Sequence, residues 1–173
     1  MLEDLKADLR RNLKDYEPCS GLKRMILLLT LNSVHAVILI RMQLWCAKKR
    51  WPTIVFSKLL FWFFKIEINK NVVIGPGLRL PHPMGILIGP NAVLGANCDV
   101  YADVRLVLTK GIKQGPVLAD GVFMGDGSKA LGPIHIGEYS VIGASAVVTS
   151  DIPARVTAAG VPARVLSRNI VRS

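Results

Sequence analysis

From residue 66 onward, apolar residues recur every six positions along the chain. Neither the 3.6-residue period of a helix nor the two-residue alternation of a half-buried strand generates this spacing. The phase slips where eight residues replace six at 80–88, and it is held over a longer spacing at 106–118. Thirteen positions follow the pattern: Ile68, Ile74, Leu80, Ile88, Leu94, Val100, Leu106, Leu118, Met124, Ala130, Ile136, Ile142 and Val148.

Each six-residue unit has the composition of one flat side of a β-solenoid. Glycine often follows the inward apolar residue, as at Gly75 and Gly125, and we expect the chain to turn tightly there. A small or apolar residue such as Ala92 or Ser128 stands at the expected inner corner. Three such sides make a triangular coil of about 18 residues. The pattern therefore predicts a mainly β, parallel solenoid; a glycine-rich β-sandwich with coincidental spacing is the alternative.

The first 65 residues predict an α-helical segment. Residues 2–15 carry leucines at helical spacing, with acidic residues first and basic residues later, as the helix dipole favours. The longest run free of ionisable groups extends from Met25 to Val34, well short of the roughly 20 apolar residues of a bilayer span. Charged residues follow Met1 closely, so we expect neither a signal peptide nor a transmembrane helix.

Without a transmembrane helix, two interpretations remain for what the apolar helices of this segment contact. In the first, they bury their faces against one another or against copies of the same chain. In the second, they lie at a membrane surface. The aromatic cluster at 61–64 and the basic residues at 48–50 favour the membrane surface, where such residues anchor interfacial helices.

Composition and charge narrow the class of protein. Hydrophobic residues are 51% and charged residues 20%, which excludes disorder for most of the chain. Cys19, Cys46 and Cys98 are odd in number and widely spaced, so we expect neither disulfides nor a metal site. The net charge is +10, of which +7 lies in residues 1–65. We expect no nucleic acid partner, because strands with interleaved aromatic and basic residues are missing from the sequence.

The two interruptions of the period are the candidate functional positions, because insertions in a solenoid map to loops on its outside. The first contains His82, and the second, a loop near 109–116, contains Lys110 and Lys113. Of the other histidines, His35 fits a helical core or interface and His135 a solvated outward position.

The chain resembles the hexapeptide-repeat acyltransferases, within them the serine acetyltransferase-like group. The resemblance rests on an arginine in the apolar helix VILIRMQLW (Arg41), the segment IEINKNVVIGPGLRLPHPMGILIG, the repeats and the ending TAAGVPARV. The MLEDL start and the short helical segment are more similar to polysaccharide and colanic-acid O-acetyltransferases. The resemblance implies a left-handed parallel β-helix, a homotrimer, and transfer of acetyl from acetyl-CoA to a hydroxyl.

The same resemblance implies the roles of individual residues. His82 is the general base and Glu67, fifteen positions earlier, orients it. The alternatives are a loop histidine without special role and a solvated carboxylate. The implied coenzyme A contacts are Gly125, Asp126, Ala144, Ala159, Gly160, Lys110, Lys113 and Arg164.

Departures from the serine acetyltransferase pattern bear on the acceptor. Pro81 replaces an acidic residue before the histidine, and Gln114 and Gly115 replace an Arg-His pair. Because arginine is the usual partner of a carboxylate, we expect an uncharged acceptor, a sugar hydroxyl in surface (capsular or exo-) polysaccharide biosynthesis. The alternatives are serine O-acetyltransferase of cysteine biosynthesis and a non-catalytic membrane-associated scaffold.

The expected organisation is a helical segment at 1–65, a β-helix acyltransferase domain at 66–160 and a C-terminal tail at 161–173. We expect a cytoplasmic protein, with peripheral contact at the inner face of the membrane as one interpretation.

Overall fold

A computed structural model describes residues 1–17 and 20–168; Cys19 lies outside the described residues. The helical segment contains four α-helices and one 3-10 turn. In chain order these are α1 (Leu2–Leu13), the 3-10 turn (Lys14–Tyr16), α2 (Gly21–Thr30), α3 (Asn32–Lys48) and α4 (Ile54–Phe64).

Short strands follow the helices at intervals set by the six-residue period. They are β1 to β14 in chain order: Glu67–Ile68, Val73–Ile74, Leu87–Ile88, Val93–Leu94, Asp99–Val100, Arg105–Val107, Val117–Leu118, Phe123–Met124, Lys129–Leu131, His135–Ile136, Val141–Ile142, Val147–Val148, Val156–Ala159 and Arg164–Arg168. Successive strands pass from one sheet to the next, so each coil contributes one strand or bridge to each of three sheets.

The three sheets are the sides of a parallel solenoid of about five coils. The first side, sheet A, has the order β1-β3-β6-β9-β12, and sheet B has β2-β4-β7-β10. Sheet C has β5-β8-β11-β13, extended by β14, which pairs antiparallel with β13. The segment expected as a tail thus begins as an edge strand. The predicted solenoid is confirmed, and the β-sandwich alternative is wrong.

The core of the solenoid is the set of inward positions that the period identified. All thirteen are buried, from Ile68 in the first coil to Val148 in the last. The inner-corner residues are buried too, including the polar Ser128 and Ser140. One apolar side chain from each side of each coil therefore fills the interior.

The glycines that follow the inward residues do not act as we expected. Gly75 does not have a positive φ; instead, a Cβ there would lie 2.7 Å from the backbone nitrogen of Ala96 in the next coil. The left-handed turn conformation falls two residues later, at Gly77 in the first coil and Asn97 in the second. Glycine after the inward residue is thus required by close approach of neighbouring coils, not by the turn.

The helical segment covers the open edge of the first coil. Strands at the end of a solenoid leave backbone groups without a partner coil. Asn12 of α1 donates to the Leu78 carbonyl at 2.9 Å and accepts from the Leu80 N–H at 3.0 Å. Gln43 of α3 donates to the Ile68 carbonyl at 2.7 Å. These buried polar side chains form hydrogen bonds with the edge backbone groups that a preceding coil would otherwise pair with.

The remaining helices pack around α3. Its buried residues include Val34, Val37 and Ile40, and α4 packs against it. Within the described ranges, no single helix is long and apolar enough to cross a bilayer. The pair α2 and α3, bent by 66° at their junction, passes that test by length and composition alone.

Candidate active site

His82 occupies the turn between Arg79 and strand β3 of sheet A. Arg79 forms a β-bridge with Asp99 and so belongs to the side of sheet C in the first coil. Pro81 and Pro83 flank it, and the His82 carbonyl accepts the Met84 N–H at 2.8 Å. Two prolines restrict the backbone on either side of the histidine. The imidazole is exposed, as a base that must reach a substrate requires.

An aromatic ladder supports one face of the His82 ring. The ring of Tyr101, on the next coil, meets it edge-on, with centroids 5.8 Å apart and planes at 65°. Phe123, one coil further, lies 4.9 Å from Tyr101 between centroids. The resemblance did not indicate this ladder, and strand register alone does not stack its members, because Phe123 pairs in register with Asp99 and not with Tyr101.

Glu67 points outward at the start of sheet A, where β1 pairs with β3 through the register Glu67 to Leu87. It lines a cavity of about 290 Å³ together with Ser57 of α4 and Gly89. No hydrogen bond or ion pair joins Glu67 to His82 in the described part of the chain. Catalytic hydrogen bonds often tighten only when substrate is bound, so the orienting role of Glu67 stays a prediction.

The turns that lead from sheet C to sheet A, which we call the C–A corner, collect most of the predicted residues. His82 lies there on the first coil and Tyr101 on the second. Above them on the later coils lie the predicted coenzyme A contacts Gly125, Asp126, Ala144, Ala159 and Gly160. A single edge of the prism thus runs from the candidate base to the candidate donor site.

The backbone of this corner is closely packed. A Cβ on Gly125 would lie 2.8 Å from the Ala144 nitrogen, so only glycine fits. Asp126, which stands where the family pattern has a small residue, accepts the Ala102 N–H at 3.0 Å through Oδ1. Its carbonyl accepts the Ser145 N–H at 2.7 Å. Asp126 therefore ties adjacent turns together.

Lys110 and Lys113 lie on a different edge. Their loop follows strand β6 of sheet A and precedes β7 of sheet B, and both side chains are exposed. The loop is fixed by Asn91, whose Nδ2 donates to the Lys113 carbonyl at 2.8 Å. One chain does not bring these lysines to the C–A corner. Arg164 is exposed on β14 and pairs in register with Ala159, so it borders that corner.

Sequence reasoning missed an ionic cluster beside the aromatic ladder. Asp99 lies 3.0 Å from Nη2 of Arg11 and 3.6 Å from Nη1 of Arg79, which also pairs with Asp15. Burial raises the pKa of Asp99 above its usual value, against the lowering effect of Arg11 and Arg79. The cluster joins α1 to sheet C beneath Tyr101, and no local pattern could have shown it because its members are far apart in sequence.

A cleft of about 690 Å³ lies away from this chemistry, between α3 and the first coil. Lys48, Lys49 and Lys70 line it, and His82 does not. Of the other histidines, His35 is half-buried in α3 and His135 is exposed on β10.

Known proteins that resemble the chain are serine acetyltransferases. The enzyme of Helicobacter pylori strain J99 is 36% identical over 171 residues, which span 96% of this chain and 98% of the relative. That of Synechococcus elongatus is 36% identical over 177 positions, 99% of this chain and 71% of the relative. The solved serine acetyltransferase of Brucella abortus strain S19 in complex with coenzyme A has a TM-score of 0.84 at 30% identity, covering 95% of this chain and 67% of its own. No protein-family model matches the sequence.

These relatives correct our expectation about function. A sugar acceptor in polysaccharide biosynthesis is wrong as the main interpretation, because the relatives are serine acetyltransferases. The expectation rested on the missing charge at Gln114 and Gly115. The structure also shows an exposed guanidinium that the expectation did not consider, Arg105 on the outer face of sheet A, two strands from Glu67.

The family comprises enzymes, so the alternative of a non-catalytic scaffold is wrong as well. Three observations point to the same family: the solenoid, the histidine at its first corner and the identity along nearly the whole chain. The chain belongs to the serine acetyltransferase family of hexapeptide-repeat acyltransferases, with their left-handed parallel β-helix.

Proposed function

We propose that this protein is a serine O-acetyltransferase, which moves acetyl from acetyl-CoA to the hydroxyl of L-serine, a reaction of cysteine biosynthesis. The observation that carries the proposal is an exposed imidazole at the C–A corner, on the edge that also holds Gly125 and Ala144. The coenzyme A complex of the Brucella abortus relative supports acetyl-CoA as the donor.

His82 acts as the general base. A hydroxyl is a weak nucleophile near neutral pH, so an imidazole nitrogen takes its proton as the oxygen attacks the thioester carbonyl carbon. The new C–O bond forms, the C–S bond of the tetrahedral intermediate breaks, and the imidazolium returns its proton to the departing coenzyme A thiolate. Glu67 stabilises the imidazolium when the substrate draws the two groups together.

The donor lies along the later coils of the C–A corner. Small residues there let a pantetheine chain approach the backbone, as Gly125, Ala144 and Ala159 do. Lys110 and Lys113 project from another edge, so they reach a donor only across an interface between copies. This supports a homotrimer in which one solenoid's loop meets the next solenoid's corner.

The acceptor carboxylate needs a cation, and Arg105 supplies one. Glu67, Leu87 and Arg105 are consecutive in register on sheet A, which sets Glu67 and Arg105 about 10 Å apart. Arg105 is exposed and makes no ion pair with any described residue. A guanidinium two strands from Glu67 on the outer face of sheet A fits an amino acid acceptor.

A thiol-release assay with acetyl-CoA and L-serine tests the proposal. We expect serine-dependent release of coenzyme A and a 10²- to 10⁴-fold lower kcat in His82→Ala. His35→Ala is the matched control, because His35 lies in α3 and belongs neither to the C–A corner nor to the edge of Lys110 and Lys113. Release of coenzyme A that does not depend on serine, or an unchanged kcat in His82→Ala, would overturn the proposal.

A further inference from the structure

Helix α4 has an outward face that nothing in the described chain covers. Its inner side packs on the rest of the molecule through Leu60 and Phe64, which are buried. On the outside Trp62 and Phe63 are 66% and 69% exposed, which is unusual for side chains of this size. The other exposed apolar residues of this region are Trp51, Ile54, Val55 and Phe61.

Basic side chains share this outward face. Ile54, Lys58, Phe61 and Lys65 are spaced so that they lie along one line of the helix. The Nζ of Lys65 sits 5.0 Å from the centroid of the Phe61 ring. Lysines beside exposed aromatic rings keep their charge in water while their stems cover apolar surface.

The charged residues from α2 to the end of α4 all have one sign. Between residues 18 and 66 the sequence contains eight basic residues and no Asp or Glu. Arg41 is buried against Asp8, which neutralises it. The exposed cations near α4 are Lys48, Lys49, Arg50, Lys58 and Lys65.

Helix α2 carries a second apolar stripe beside a cation. Its exposed large residues recur at helical spacing: Leu22, Met25, Ile26 and Leu29. Lys23 is exposed between them. Two helices of this segment thus present apolar faces with basic neighbours.

We infer that the outward face of α4 docks on the surface of an anionic lipid bilayer. Helices with aromatic and aliphatic residues on one face and lysines beside them lie in the headgroup region of such membranes. Each lysine or arginine near an anionic surface adds to the attraction. The inference does not depend on which acceptor the enzyme uses.

A pair of copies that packs α4 against α4 fits this face less well. Pairing α4 with itself would set Lys58 and Lys65 against the same cations, because the region holds no acidic residue to compensate them. Spanning the bilayer is excluded for α4 by its length, since its 11 residues reach about 16 Å against the roughly 30 Å of a hydrocarbon core.

The docking face is connected to the catalytic turn. The carbonyl of Phe64, the last residue of α4, accepts the Gly85 N–H at 3.0 Å, and Gly85 lies in the turn that presents His82. A bilayer beneath α4 would therefore hold the candidate base close to the membrane surface.

Vesicle flotation of the full chain tests the inference. We expect the protein to float with vesicles of phosphatidylcholine and phosphatidylglycerol, and to be released as salt rises. It should bind phosphatidylcholine vesicles about tenfold or more less tightly. Charge reversal in Lys58→Glu/Lys65→Glu should weaken binding to the anionic vesicles by about tenfold or more.

Variants separate lipid binding from other causes. Trp62→Ser/Phe63→Ser should lose flotation, while Val165→Ser/Leu166→Ser, which alters exposed apolar residues of β14, should keep it. Circular dichroism checks that each variant folds. If the first variant does not fold, quenching of the wild-type tryptophan fluorescence by brominated lipids replaces it, with quenching expected on anionic vesicles.

Two results would overturn the inference. The first is failure of the wild-type protein to float with anionic vesicles, and the second is equal binding to both vesicle types. In the first case, a change of oligomeric state in Trp62→Ser/Phe63→Ser would assign the face to a second copy. Thiol-release activity in solution is unaffected by any of these results, so failure of this inference is distinguishable from failure of the proposed function.

Discussion

The carboxylate of Asp8 in α1 receives the Nε and Nη2 groups of Arg41 in α3, at 2.7 and 2.9 Å, with both side chains almost fully buried. The same carboxylate accepts the N–H groups of Gly77 and Leu78 at 2.8 and 2.9 Å. Arg41 continues the network to the Ile74 carbonyl at 2.8 Å. One ion pair therefore holds two helices to the open edge of the first coil.

We predict that Asp8→Ala lowers the free energy of unfolding by about 3–5 kcal/mol, because it leaves the Arg41 charge and two backbone N–H groups buried without a partner. Urea unfolding followed by circular dichroism measures the change. Glu3→Ala is the control, since Glu3 is exposed and its pair with Lys6 lies on the surface. It should change stability by less than about 0.5 kcal/mol. Equal effects of the two substitutions would contradict this account of the edge.

The sequence predicted the coils but not this edge, for a physical reason. A solenoid repeats one local environment, so the requirement for an inward apolar residue recurs at a fixed spacing and can be seen along the chain. The leucines of α1 have helical spacing, and Leu13 is buried, but the polar Asp8 and Asn12 are buried as well. Which side of α1 is covered depends on backbone groups of the first coil, and these are about 70 residues away.

The sequence likewise predicts one part of the candidate site and not the other. The C–A corner follows from the period, because His82, Gly125 and Ala144 occupy equivalent turns on different coils. Lys110 and Lys113 lie on another edge of the prism, between sheets A and B, so within one chain they do not reach this corner. The acceptor could not be predicted from the loop alone, because Arg105 is an outward strand residue whose position relative to Glu67 depends on sheet register.

Tyr101 should position the imidazole of His82 through the contact between their rings. An aromatic pair contributes about 0.5–1.5 kcal/mol, so Tyr101→Ala should lower kcat by roughly 2- to 10-fold. Tyr101→Phe retains the ring and should stay within about twofold of the wild type. Steady-state kinetics measure both, and the ring-current shift of the His82 imidazole protons, seen by NMR, should disappear only in Tyr101→Ala. Retention of that shift in Tyr101→Ala would rule out the positioning role.

Arg105→Ala should raise the KM for L-serine by about tenfold or more, because it removes a charged partner from the acceptor carboxylate. The KM for acetyl-CoA should not change. Arg155→Ala serves as the control, since that guanidinium lies 5.0 Å from the Tyr139 ring on a later coil.

L-serine methyl ester sharpens the Arg105 experiment, because it keeps the hydroxyl and lacks the carboxylate. The wild type and Arg105→Ala should use the ester equally poorly. An equal loss with the ester and with serine in Arg105→Ala would show that Arg105 contributes to folding or to the donor site and not to acceptor binding.

Cys98 should make the stability of the fold depend on alkaline pH. Burial raises the pKa of its thiol to about 11, with further raising by Asp120 and Asp99. An unfolded cysteine loses its proton near pH 8.5, whereas the folded one keeps it, so stabilisation by the neutral thiol is complete below about pH 8.5. It is lost progressively as the pH rises to about 11. The loss should amount to about 2–3 kcal/mol.

Lysines and tyrosines titrate in the same range, so the Cys98 contribution has to be isolated as a difference. Urea unfolding from pH 8 to pH 11 should show a steeper fall for the wild type than for Cys98→Ala, which has no thiol. Peptide mapping after iodoacetamide treatment at pH 8 gives a second measurement. The Cys98 peptide should stay unmodified in the folded protein and react in urea, because only the thiolate attacks and only about one thiol in a thousand is ionised at that pH. Parallel pH slopes for the two proteins, or rapid alkylation of folded Cys98, would mean that the thiol is not buried as the first two coils of the solenoid require.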